Sequence, residues 1–131
     1  QVSAVNPKHV TFFIDSCYSG LSRNGETILA KARPVTLRVK PGSVPENFTV
    51  FSASGLEEIA SGSSSLQHGI FSFFLMKGLE GEADINSDDI ILNSELYDYL
   101  KRSVTSVALG DGRKQTPTIS GESERAIANL R

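Results

Sequence analysis

Cysteine is nearly absent: the 131 residues hold one, Cys17. A single thiol excludes an internal disulfide and a zinc site built from several cysteines, and it fits a reducing, cytoplasmic setting. Histidine is scarce too, with only His9 and His68. Chemistry that needs an imidazole from these residues therefore has two candidates. Positive charge has no surplus, since 13 Lys and Arg stand against 15 Asp and Glu for a net charge of -2. A general nucleic-acid binder neutralises phosphates with an excess of cations, so a nucleic-acid partner is not expected. No apolar run approaches the roughly 20 residues of a membrane span, so a membrane partner is not expected either. What is present is 39% hydrophobic and 21% charged, the composition of a globular domain long enough to bury its own core.

Val10-Thr11-Phe12-Phe13-Ile14 is a nearly continuous apolar and β-branched run. It reads as a strand buried on both faces, as in a parallel sheet. Asp15 to Gly20 follows directly and is rich in turn formers. Residues 21–33 are polar and basic without a clear period, which fits a surface loop or a short helix. Residues 35–39 alternate like a strand and are closed by Pro41-Gly42. Residues 48–53 read as a second core strand, and the Gly/Ser-rich residues 61–65 read as a loop. His68-Gly69 then opens a helix over residues 70–79, apolar on nearly every side and ended by Gly78 and Gly81. A second helix over residues 94–104 carries Leu96, Tyr99, Leu100 and Val104 on one stripe. Strands alternating with helices predict an α/β domain with a mainly parallel sheet.

The sharpest local feature is Ile14-Asp15-Ser16-Cys17-Tyr18-Ser19-Gly20, placed straight after the first strand. In α/β sheets chemistry gathers at the carboxyl ends of strands. A cysteine in a small-residue turn at such an end can supply a nucleophile and, through its own amide, one oxyanion donor. The competing reading is a buried structural thiol, a frequent fate of free cysteine.

A hydrophobic strand followed by Asp-Ser-Cys-Tyr-Ser-Gly resembles the catalytic cysteine motif of the caspase superfamily, in its metacaspase and bacterial caspase-like branch. Downstream segments resemble the same branch in the same order: Phe51-Ser52-Ala53-Ser54, His68-Gly69-Ile70-Phe71-Ser72-Phe73-Phe74-Leu75, Glu95-Leu96-Tyr97-Asp98-Tyr99-Leu100, and Gln115-Thr116-Pro117. Tyr18 stands where many metacaspases carry His, and tyrosine is also common in bacterial members. The resemblance implies a caspase-like α/β fold, a mostly parallel sheet flanked by helices in three layers. It divides the chain into a nucleophile strand and turn (9–20), a linker loop (21–47) and a part like the small subunit (48–131).

By that resemblance Cys17 attacks the scissile carbonyl, and Asp15, Ser52 and Ser54 line the substrate site. A carboxylate at Asp15 favours a cationic side chain, Arg above all, so the resemblance implies cleavage of protein or peptide substrates after Arg or Lys. Asp15 as a simple turn cap is the alternative. The family's histidine base lies upstream of the nucleophile. His9 is eight residues before Cys17, at the far end of a strand, and roughly 3.3 Å per residue puts the two about 20 Å apart. His68 matches the entry to the later helix. The chain begins at Gln1, and the expectation is that the N-terminal part of the domain, with the histidine, resides on an upstream segment or a separate chain. The basic residues Lys31, Arg33, Arg38 and Lys40 mark either a self-cleavage site or a solvated loop. A caspase-fold pseudoenzyme or regulatory module without turnover is the alternative function.

No cofactor is required for this chemistry, but Asp84-Ile85-Asn86-Ser87-Asp88-Asp89-Ile90-Ile91-Leu92-Asn93-Ser94-Glu95 has the spacing of an EF-hand calcium loop. Asp84, Asn86 and Asp88, the carbonyl of Ile90 and the carboxylate of Glu95 are its candidate ligands. Asp89 replaces the usual glycine at the sixth position. The alternative is a polar interhelix loop whose Asn93 or Ser94 caps the next helix.

Overall fold

The computed structural model describes residues 7–15, 45–55 and 69–131. Cys17, the turn 16–20, the loop 21–33, the strand expected at 35–39, residues 61–65, the basic cluster and His68 lie outside the described residues. The described elements run β1 (Val10–Ile14), β2 (Phe48–Ser52), α1 (Ile70–Lys77), a π-type turn (Gly78–Glu82), β3 (Ile90–Leu92), α2 (Asn93–Gly110), β4 (Thr118–Gly121) and β5 (Ala126–Asn129). This is a mixed α/β arrangement. One sheet has the order β1-β2-β4, and β3 pairs with β5 in a second.

The aromatic and β-branched runs of β1 and β2 pair in parallel, with Val10 opposite Phe48 and Ile14 opposite Ser52. The ladder continues past the strand ends, where the Ala53 N–H donates to the Ile14 carbonyl at 2.9 Å. The expectation of a mainly parallel sheet is corrected to a mixed one among the described residues, because β2/β4 and β3/β5 are antiparallel. After α2 the chain returns from that helix's carboxyl end to its amino end, where Asn93 Nδ2 donates to the Glu122 carbonyl at 2.7 Å. That reversal sets β4 against β2. Nor is β1 buried on both faces: Phe12 and Phe13 are each 37% exposed. Among the described residues β1 is an edge strand, and an edge removes one wall of side-chain contacts.

Phe51 and Thr49 share one face of β2 and are buried there. Phe51 joins Ile70 and Phe71 of α1 and Leu96, Leu100, Val104 and Ala108 of α2 in the core. The two helices also meet directly, with Phe74 edge-on to Tyr99 at 6.2 Å. On the opposite face of β2, Phe48 and Val50 are half-buried. The described residues therefore form two layers, with α1 and α2 on the Phe51 face. α1 ends at Lys77, earlier than its apolar pattern predicts. Gly78 stays buried beneath Leu96 and Tyr99, and an added Cβ there would lie 2.8 Å from Leu96 Cδ1. The chain turns away at Gly81, whose φ of 125° suits glycine.

α2 is longer than its predicted span, and its start is held by backbone partners. The Asn93 and Ser94 amides donate to the carbonyls of Arg125 and Ser123, each at 2.8 Å. The Glu95 carboxylate reaches back to the Leu92 amide at 3.0 Å. No helix among the described residues is long and apolar enough to cross a membrane.

Tyr99 provides a pH test of this packing. Its hydroxyl donates to Glu82 Oε2 at 2.6 Å. Burial, and then the Glu82 hydrogen bond and charge, push its pKa from 10.0 up to about 12. The folded state therefore favours the neutral phenol. The resulting stability is fully present below pH 10 and is lost as pH rises through about 12. Thermal midpoints of the native chain are expected to fall more steeply across that window than those of Tyr99→Phe. Parallel pH profiles by circular dichroism check this, and superimposable slopes contradict it.

Candidate functional site

Parallel pairing places the carboxyl ends of β1 and β2 side by side, and the residues expected at the substrate site collect there. Asp15 is the first residue beyond β1, Ser52 the last of β2, and Ala53 and Ser54 follow. Asp15 is exposed. Ser54 is buried, and its carbonyl accepts the Ser52 hydroxyl at 3.1 Å. Ser52 is half-buried. Both serines thus sit at the right end of the sheet, with the Ser52 hydroxyl turned back onto the chain.

Two residues that the sequence pattern did not single out for the site complete this end. Ser72, in the first turn of α1, donates its hydroxyl to Asp15 Oδ2 at 2.5 Å. Gly69, just before α1, approaches the same carboxylate so closely that an added Cβ would stand 2.4 Å from Oδ2 and 3.2 Å from Cγ. Their only signal was a lone hydroxyl in an otherwise apolar helix start and a glycine where the helix enters. Gln115 anchors the site from behind. It is fully buried and donates from Nε2 to the Ala53 carbonyl at 3.0 Å. Its own carbonyl accepts the Thr105 hydroxyl of α2 at 3.2 Å.

His9 lies at the amino end of β1, with Nε2 against the Arg125 guanidinium. Five strand residues separate it from Asp15, about 20 Å at roughly 3.3 Å per residue. It is therefore not at the carboxyl end.

The 84–95 loop is a separate structure beside β3. The Asp84 carboxylate accepts the amides of Asp88 at 3.2 Å and Asp89 at 3.1 Å. Asn86 Oδ1 accepts the Asp88 amide at 3.0 Å, and Asp88 Oδ1 accepts the Ile90 amide at 2.8 Å. Ser87 and Asp89, at the fourth and sixth positions, have φ of 59° and 65°. The sharp turn is therefore made without glycine, braced by these side-chain bonds. Asp89 is tied outward to Arg131 at 2.8 Å, and Glu95 is turned to the Leu92 amide. Among the described residues no group of three or more His, Cys, Asp or Glu side chains is arranged to hold a metal ion. The oxygens of Asp84, Asn86, Asp88 and Glu95 accept the loop's own amides, and these bonds brace the turn.

Compared with protein-family models, with curated proteins and with solved structures, the chain matches none.

Proposed function

We propose that this chain is the cysteine-bearing part of a caspase-like cysteine endopeptidase that cleaves after Arg or Lys. The observation that carries the reading is Asp15, two residues before the only cysteine. It sits exposed at the carboxyl end of a parallel strand pair and is held by Ser72. An accessible, oriented carboxylate two residues before a cysteine in the sequence can receive a cationic side chain while, in this reading, the thiolate meets the adjacent carbonyl. In this reading the Cys17 thiolate attacks the carbonyl carbon. The C–N bond then breaks with a proton delivered to the leaving amine, and water hydrolyses the thioester. In this reading the base is a histidine from a further segment or chain, since His9 lies at the opposite end of β1 and His68 matches, by the resemblance, the entry to the later helix and not the family's upstream histidine.

The distant His9 also favours a second reading, a caspase-fold regulatory module without turnover. Fluorogenic peptides ending in Arg, Lys or Asp, offered to the protein with this chain joined to its upstream segment, with calcium or with a chelator, separate the two. Turnover of Arg and Lys peptides that stops on thiol alkylation supports the peptidase. A folded protein that cleaves none of the three sinks that reading and favours the module.

Within the peptidase reading, Asp15→Asn is expected to lower kcat/KM for Arg peptides by on the order of 100-fold, because a charge-assisted pair is replaced by a neutral amide. The thermal midpoint should hardly move, since Asp15 is exposed. Steady-state kinetics beside a melting curve check both halves, and equal loss on an uncharged peptide would count against the pocket role.

A further inference from the structure

We propose that Ser72 is a positioning residue that sets the plane of the Asp15 carboxylate and thereby tunes preference for Arg over Lys. The inference rests on the peptidase reading and adds a determinant on a different element, the first turn of α1.

Three observations carry it. The Ser72 hydroxyl donates to Asp15 Oδ2 at 2.5 Å, across 57 residues of sequence. Ser72 stands in the first turn of α1, and its hydroxyl is directed out of the helix to a strand end. Gly69 closes the other side, because its bare Cα leaves room for Oδ2 where any Cβ would stand 2.4 Å away. The support is rigid as well, since Ile70 and Phe71, the two residues preceding Ser72, are fully buried in the core. Among the described residues Ser72 is the hydrogen-bond partner of Asp15. A carboxylate offers about four lone-pair sites, so one bond from Ser72 leaves Oδ1 and part of Oδ2 for an incoming cation.

The consequence differs for the two basic side chains. A guanidinium is a planar fork that needs both carboxylate oxygens in one fixed plane. An ammonium is a compact charge that tolerates rotation of the carboxylate. Fixing the plane therefore helps Arg more than Lys, and freeing it costs Arg more.

The test measures kcat and KM for matched Arg and Lys peptides with the native protein and with Ser72→Ala, Ser72→Thr and Ser72→Cys, with a melting curve for each. Ser72→Ala is expected to lower the Arg-to-Lys ratio of kcat/KM about five- to tenfold, mostly through KM for Arg. Ser72→Thr, which keeps the hydroxyl, should retain the ratio. Ser72→Cys keeps the volume with a weak donor and should behave like alanine, so the result stands even where alanine fails to fold. A purely structural role would lower both substrates together. An unchanged ratio in active Ser72→Ala or Ser72→Cys overturns this inference alone, whereas no turnover by the folded native protein overturns the peptidase reading and this inference with it.

Discussion

In the peptidase reading, Cys17→Ala is expected to abolish hydrolysis of Arg and Lys peptides, a fall of about 10⁴-fold or more in kcat. The thiolate is the one strong nucleophile the sequence offers at the strand end, since this is the only cysteine. Cys17 follows Asp15 by two residues in the sequence. In the peptidase reading a substrate whose basic side chain meets Asp15 presents its carbonyl to the Cys17 thiolate. Cys17→Ser should fall nearly as far, because a hydroxyl is scarcely ionised at neutral pH and needs a stronger base. Binding should survive in both variants, since Asp15 and Ser72 are untouched. Saturable binding of an arginine-containing peptide by the native protein, retained in the inactive Cys17→Ala, is the matching result. Appreciable turnover by Cys17→Ala would remove the peptidase mechanism altogether.

Local pattern revealed the parts of the fold that long apolar runs build. Val10–Ile14 is a strand as the run predicts, and β2 ends one residue before its predicted limit. The stripe Leu96, Tyr99, Leu100 and Val104 is the buried face of α2. The short strands were not legible. β3 has three residues and β4 and β5 have four each, too few for an alternating pattern to stand out, and Ile90-Ile91-Leu92 falls within a spacing that also reads as a cation loop. The mixed sheet followed from these omissions, because both antiparallel pairings involve the missed strands. At the candidate site, the motif identified Asp15 and the strand-end serines. It did not reveal Ser72 or Gly69, because their roles arise from a contact between residues 57 and 54 positions away from Asp15. Such contacts depend on how α1 docks on the sheet, which no local pattern encodes. Gln115 stands in the Gln-Thr-Pro segment, and its burial behind Ala53 gives it a physical role there, since its amide satisfies a carbonyl just beyond β2.

That docking rests on Phe51, and Phe51→Ala is expected to cost about 3–5 kcal/mol of stability. Phe51 is completely buried and touches the core formed by α1 and α2. It also stacks on Phe13 of β1 at 5.1 Å between ring centroids. Truncation thus opens a cavity at the place where both helices and the parallel strand pair meet. For a chain of this size the melting midpoint should drop by roughly 10–20 °C. Phe12 supplies the internal comparison. It is the same residue type on the adjacent strand, stacked on Phe48 at 5.8 Å, but it is 37% exposed. Phe12→Ala should therefore cost only about 1–2 kcal/mol, since much of its ring already meets water. Urea or thermal unfolding of the two variants beside the native chain reads the difference directly. Equal losses would mean that the core is not organised on the Phe51 face. In that case the position of α1, and with it the Ser72 contact to Asp15, would lose its structural support.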